Sequence, residues 1–263
     1  MRSQPLIRWA GSKRKLLPIL KELSPVSYNR YVEPFCGSAS LFFELPPSQA
    51  LLSDINEELI NAFLEIKKDS LIREKLIEIP PTKEEYYRVR ALDPSNLTNS
   101  ERAIRFLYLN RNCFNGVYRT NKKGEFNVPM GTRTGEFPKQ HVFDQAREWL
   151  ASAKIVVADY KQTLSELRDG DFAYIDPPYS KSGRFTGEYG VGSFNSDELP
   201  EFLDILQKMN TNGVKFLFSY RACEDTIKSL SQYYPVNIIP VKRHISGFKN
   251  SWNVAQEILV KNY

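Results

Sequence analysis

Residues 172–179 read Phe172-Ala173-Tyr174-Ile175-Asp176-Pro177-Pro178-Tyr179, and the way this stretch ends decides what the chain is built around. Phe172 to Ile175 form an apolar run with the length and composition of a buried strand. The run then stops at a carboxylate followed by two prolines. Neither proline has an amide hydrogen to give a neighbouring strand, and each fixes its own φ. Asp176 is thereby predicted at the end of a strand, on stiff backbone, with the Tyr179 ring just beyond it.

Outward from this point, strand patterns recur. The stretch 153–159 is β-branched and ends at Asp159, and 214–220 runs into Ser219. Two more strands are predicted in 236–245 and 255–263, with helices over 197–209 and 222–233 between some of them. Upstream, a short strand ends near Val32. A turn at Gly37 and Ser38 follows, then a predicted helix from about Ala39, and a second strand runs over 50–52 to Asp54. Strands alternating with helices predict an α/β fold: a doubly wound, mostly parallel, Rossmann-like sheet. The strand signals fall in residues 1–56 and 150–263. Residues 57–149 are mainly helical and carry one hairpin signal at Asn121-Lys122-Lys123-Gly124, so they read as an insert. Within them Ser100 is the predicted N-cap of a helix, with Glu101 in its first turn.

Composition narrows the class. The chain has 263 residues, 41% hydrophobic and 25% charged, which suits one large domain or one domain with an insert. Cys36, Cys113 and Cys223 lie far apart, odd in number and without zinc spacing, so a reducing cytoplasm is the default. His141 and His244 have no neighbours to complete a metal site. The N-terminus lacks a signal-peptide core, and no apolar run has the length to span a bilayer. The formal charge is +5. From 102 to 139 the basic residues Arg102, Arg105, Arg111, Arg119, Lys122, Lys123, Arg133 and Lys139 face only two acids, Glu125 and Glu136. Aromatic residues are interleaved with them, which fits a polyanion with stackable bases. A solvated helix face with ordinary core aromatics fits the charge alone slightly better.

Ligands of such sheets sit outside the carboxyl ends of the strands. Glu33 to Gly37, Asp54, Asp159 and Asp176 all fall there. The Gly37 turn departs from the dinucleotide glycine fingerprint, which argues against NAD or FAD but leaves room for a nucleoside. Asp54 then fits the acid that binds ribose hydroxyls. S-adenosylmethionine, a nucleoside joined to a charged amino acid, is such a ligand. At the other site Tyr179 is placed to stack on a flat substrate. Asp176 and the Pro177 carbonyl are placed to accept hydrogen bonds from an exocyclic amine and free its lone pair.

The chain resembles the Dam-type DNA adenine-N6 methyltransferases over nearly its full length. The resemblance rests on "IRWAGSKRKLLPIL" from Ile7, "YVEPFCGSASLFF" from Tyr31, "SDIN" from Ser53, "FLYLNRNCFNGVYRTNKKGEFNVPMG" from Phe106, "DFAYIDPPY" from Asp171 and "QEILVKNY" from Gln256. It implies a catalytic domain at 1–56 and 150–263 with a target-recognition insert at 57–149. It implies S-adenosylmethionine and no metal, with Trp9, Lys13, Phe35, Gly37, Asp54, Asp159 and Asp176 at the cofactor. Lys13 suits the methionine carboxylate, whereas Asp159 fits equally well as a helix cap. Asp176, Pro177 and Tyr179 match the catalytic motif. Arg119, Asn121, Lys122, Lys123 and Asn127 fall on the DNA-reading element, where Asn115 and Asn121 are as well suited to turns as to bases. The loop after Tyr179 would bring Lys181 and Arg184 to phosphate, and Lys242, Arg243 and His244 with the residues after them would form a second such loop. The implied partner is double-stranded DNA bearing a flipped adenine, with or without a cognate restriction endonuclease. No membrane is implied, and a monomer is the default. Thr132-Arg133-Thr134 departs from the family's usual Arg-Tyr and leaves the recognition site open. Cytosine-N4 or RNA adenine methylation, and a DNA-binding regulator with a vestigial cofactor fold, are the alternatives.

Overall fold

A computed structural model describes residues 5–121, 123–132, 136–178, 198–244 and 252–263. Seven strands form one sheet: β1 (Tyr31–Glu33), β2 (Ala50–Asp54), β3 (Ala153–Val157), β4 (Phe172–Ile175), β5 (Lys215–Arg221), β6 (Val236–His244) and β7 (Trp252–Lys261). Their order is β3-β2-β1-β4-β5-β7-β6. The first five run parallel, and β7 runs antiparallel to both β5 and β6. From β1 the chain moves outward through β2 to β3, then returns to start β4 on the other side of β1. That reversal opens a crevice at the carboxyl ends of β1 and β4. The doubly wound, mostly parallel α/β sheet expected from the sequence is the one observed.

Both central strands are buried on both faces, because adjacent residues feed opposite cores. Tyr31, Leu52, Phe172, Leu217 and Leu259 point into one core. Their neighbours Val32, Leu51, Ala173, Phe218 and Ile258 point into the other. This period-two division is what a strand covered on both sides requires. The first core continues without a break into residues 57–149. Leu20 of α1 (Leu17–Leu23), Phe63 of α2 (Glu57–Lys68), Leu76 of α3 (Ile72–Ile77), Tyr86 of α4 (Lys83–Ala91), Phe106 of α5 (Asn99–Asn112) and Leu150 of α6 (Gln140–Ala151) all belong to it.

The N-terminal segment is strapped across α5. The Arg8 amide donates to Asn110 Oδ1 at 2.8 Å, and Asn110 Nδ2 donates back to the Arg8 carbonyl at 2.7 Å. Buried Arg111 donates to the Pro5 carbonyl at 2.8 Å. Arg105 is likewise buried and donates to the Val89 and Arg90 carbonyls, while Arg102 pairs with Glu58. Three arginines of the basic run therefore brace the fold.

Two local expectations fail for identifiable reasons. No regular helix starts at Ala39. That residue sits at φ +49°, and although Phe43 and Leu45 donate to the Ala39 and Leu41 carbonyls, Pro46 and Pro47 end the run. The N-cap of α5 is Thr98, not Ser100. Thr98 accepts from the Glu101 amide, and the Glu101 carboxylate accepts from the Thr98 amide, which closes a capping box that Ser100 lies inside. Thr98→Ala is expected to cost about 1 kcal/mol and to lower the melting temperature by roughly 2–4 °C, measured by calorimetry.

Candidate active site

The turn after β1 is fixed from three sides. The Cys36 amide donates to the Ser53 carbonyl of β2 at 2.9 Å. The Gly37 amide donates to Asp54 Oδ2 at 3.1 Å, and the Asn56 amide takes Asp54 Oδ1 at 3.0 Å. Gly37 has φ +46°, and a Cβ there would stand 2.6 Å from Trp9 Cδ1. Only glycine lets the chain pass so close beneath the indole. Asp54 is thus a carboxylate at the end of β2 with each oxygen oriented by a backbone amide. On the facing wall Phe35 stacks on Tyr160, their centroids 5.0 Å apart and their planes 28° from parallel. Among the described residues the Tyr160 hydroxyl is buried without a hydrogen-bond partner, and burial raises its pKa. An orphaned hydroxyl beside an aromatic pair fits a flat polar ligand that would complete it. These residues, with Trp9, Lys13, Asp176 and Pro177, line one cavity. Asp159 stands exposed at its edge and accepts from the Lys161 amide as the N-cap of α7 (Tyr160–Ser165).

Asp176 follows β4 directly and also faces this cavity. Its Oδ1 takes two donors, Lys13 Nζ at 2.6 Å and Ser219 Oγ at 3.0 Å. Ser219 lies on β5 and is paired with the Tyr174 hydroxyl at 3.2 Å. The same Lys13 ammonium lies 3.6 Å from Oε2 of Glu257 on β7, a side chain only 2% exposed. Among the described residues no donor is recorded for Asp176 Oδ2. Asp176 therefore lines the cavity with one carboxylate oxygen tied down by two protein donors.

A model of the D12 class N6 adenine-specific DNA methyltransferases matches residues 9–246. The chain belongs to this family. The type II methyltransferase M1.LlaDCHI of Lactococcus lactis subsp. cremoris is 33% identical over 99% of this chain and 95% of its own. The type II methyltransferase M.MjaIII of Methanocaldococcus jannaschii is 30% identical over the whole of both. The DNA adenine methylase of Escherichia coli K12 is 29% identical over 98% of this chain and 95% of its own. The Dam-type resemblance holds, and the protein is an adenine-specific DNA methyltransferase whose family works with an S-adenosylmethionine-type cofactor.

For a member of this family, the residues expected to meet DNA are of mixed availability. Arg119 and Lys123 are exposed. Arg119 Nε donates to Asn127 Oδ1 at 2.9 Å, so the two form one unit. Thr120 and Phe126 bridge in antiparallel fashion, and Asn121 builds the tip between them: its Oδ1 accepts from the Lys123 and Glu125 amides and its Nδ2 donates to Glu125. Lys122, Arg133, Tyr179, Lys181 and Arg184 lie outside the described residues, as does the loop over 245–251. Sequence reasoning missed Ser219 and Glu257. A single acid inside the apolar run Ile258-Leu259-Val260 and its flank was the available signal, and Glu257 is that acid.

The methyltransferase cavity is rich in acid. Burial raises the pKa of Glu33 well above its ordinary value, with the Asp176 charge adding and the Tyr31 hydroxyl opposing. Asp54 and Asp176 are raised in the same way, even though Lys13 pulls Asp176 down. Groups that hold protons more tightly folded than unfolded make stability fall as pH rises from the ordinary carboxylate range through their folded values. Glu33→Gln, which keeps an acceptor for the Tyr31 hydroxyl at 2.9 Å, is expected to flatten that fall. Thermal unfolding at about pH 5 and about pH 8 measures the slope.

Proposed function

We propose that this methyltransferase transfers a methyl group from S-adenosylmethionine to N6 of an adenine turned out of double-stranded DNA. The carrying observation is the half-tied carboxylate: Asp176, at the end of β4, lines the cavity with its Oδ1 braced by Lys13 and Ser219. When bound, S-adenosylmethionine supplies a methyl group on a sulfonium centre. Asp54 accepts hydrogen bonds from the ribose hydroxyls, because its two backbone donors leave further lone pairs on each oxygen. Phe35 and Tyr160 hold the cofactor's adenine, and Trp9 closes the turn at Gly37. Asp176 Oδ2 and the Pro177 carbonyl accept the two N6 hydrogens of the target base. They draw the amine lone pair out of the ring and aim it at the methyl carbon. Transfer would form the N–C bond as the S–C bond breaks, the neutral thioether leaving with the bonding pair and N6 losing one hydrogen as a proton to water, with no covalent enzyme intermediate. Tyr179 stacks on the extruded base. The reading calls for no metal.

The acid surplus of the cavity favours a cationic cofactor over its neutral product, and so assists release after transfer. Arg119, Lys122 and Lys123 meet phosphates, while Arg119 and Asn127 present one polar face to the duplex. The cost of extruding the base, a few kcal/mol, is offset by these contacts. One chain carries both the cofactor and the DNA elements, so it acts as a monomer. The type II names of two relatives support a cognate restriction endonuclease as the partner in the same system. Double-stranded DNA as substrate puts the enzyme in the compartment that holds it, the reducing cytoplasm.

The primary test incubates the protein with labelled cofactor and plasmid, then sequences the product for the modified base. N6-methyladenine at one motif is expected; unmodified plasmid under all conditions would reject the reading. Asp176→Ala is expected to lower single-turnover methylation by at least about a hundredfold while cofactor binding by calorimetry weakens but persists. Arg119→Ala is expected to weaken DNA binding and to reduce the slope of log affinity against log salt by about one unit. An unchanged slope would move the DNA face away from the hairpin.

A further inference from the structure

Glu257 has no part in the catalytic motif, yet it reaches the reacting end of the sheet. It lies on β7, opposite Arg221 of β5 and Ile239 of β6. Its buried carboxylate stands 3.6 Å from the Lys13 ammonium, which also touches Asp176 Oδ1 at 2.6 Å. One cation is thus shared between two carboxylates from different strands, nearly out of water. The groups that face Asp176 come from every neighbouring element: Lys13 from the N-terminal strap, Glu33 from β1, Tyr174 from β4, Ser219 from β5 and Glu257 from β7.

An acceptor bonds an amine hydrogen more strongly the more basic it is. A buried lysine paired with Asp176 alone would quench that basicity, since a close opposite charge stabilises the ionised form. A second carboxylate on the far side of the same ammonium restores part of it. We propose that Glu257 is a positioning residue for methyl transfer: it takes a share of the Lys13 charge, so that Asp176, fixed by Lys13 and Ser219, remains a strong acceptor for the target amine. The opposing influences on Asp176 agree with this: Lys13 and Ser219 lower its pKa, and Glu257 raises it. The inference rests on the role given to Asp176 above.

Glu257→Gln withdraws one carboxylate charge from the Lys13 ammonium and keeps the 2.6 Å contact between Lys13 and Asp176. Single-turnover methylation is measured across pH with DNA and cofactor saturating, for wild type, Glu257→Gln and Glu257→Asp. For Glu257→Gln the plateau rate is expected to fall by about tenfold, with the KM values for DNA and cofactor within about twofold of wild type. Its acid limb is expected to move to lower pH, because removing a negative neighbour makes Asp176 easier to ionise. Glu257→Asp is expected to recover much of the rate with an intermediate limb, and it carries the test should the glutamine variant not fold. An acid limb that stays in place or moves to higher pH in folded protein overturns the proposal, as does an unchanged plateau rate. A wild-type enzyme that leaves adenine unmethylated is a separate result: it removes the role of Asp176 first and this inference with it.

Discussion

The ion pair between Lys13 and Asp176 spans 163 positions of sequence and brings the two groups to 2.6 Å. On one side of it lies the N-terminal strap, held down by Asn110 and Arg111 of α5. On the other lies the stiff end of β4. If the strap shifted, the ammonium would leave a carboxylate unpaired in a site with little water. Buried pairs of this type add little net stability, because desolvation consumes most of the attraction. Their effect is geometric. The pair fixes which oxygen of Asp176 is occupied by protein donors.

The rest of the site follows from a scarcity of positive charge. Glu33, Asp54, Asp176 and Glu257 gather near the carboxyl ends of the strands, and Lys13 lies among them. In the low-dielectric crevice burial holds the Glu33, Asp54 and Asp176 carboxyls above their ordinary proton affinity, which costs stability. A cationic ligand relieves that cost. The fold thereby couples the occupancy of the cavity to its own stability, a link created by burial and not by any single contact.

Trp9 ties this chemistry to the helical region. Its indole covers Gly37 of the turn after β1 and stacks on Tyr118, with centroids 6.0 Å apart, at the base of the hairpin that carries Arg119 and Asn127. Phe106 of α5 packs against the same two rings. The turn after β1 and the hairpin therefore share one aromatic wall. The basic residues nearby divide accordingly: Arg105 and Arg111 brace backbone carbonyls in the interior, while Arg119 and Lys123 remain at the surface.

Much of this was legible in the amino-acid sequence, and the limits have physical causes. Strand β4 was read to the residue, because an apolar run ended by two prolines has one interpretation in a sheet. The carboxylates after β1, β2 and β4 were legible for the same reason, since strand periodicity fixes where a strand stops. Local hydrogen bonding defeated two expectations: Thr98 rather than Ser100 caps α5, and the left-handed Ala39 with Pro46 and Pro47 prevents a helix. Asn121 could serve a turn or a base edge until its bonds to Lys123 and Glu125 were seen. What only the tertiary structure decided is the company of Asp176. Ser219 and Glu257 reach it because β5 lies beside β4 and β7 turns antiparallel to β5, and Lys13 reaches it because α5 anchors the strap. Sequence patterns report the period and ends of an element, but which elements become neighbours is set by the packing of both sheet faces at once.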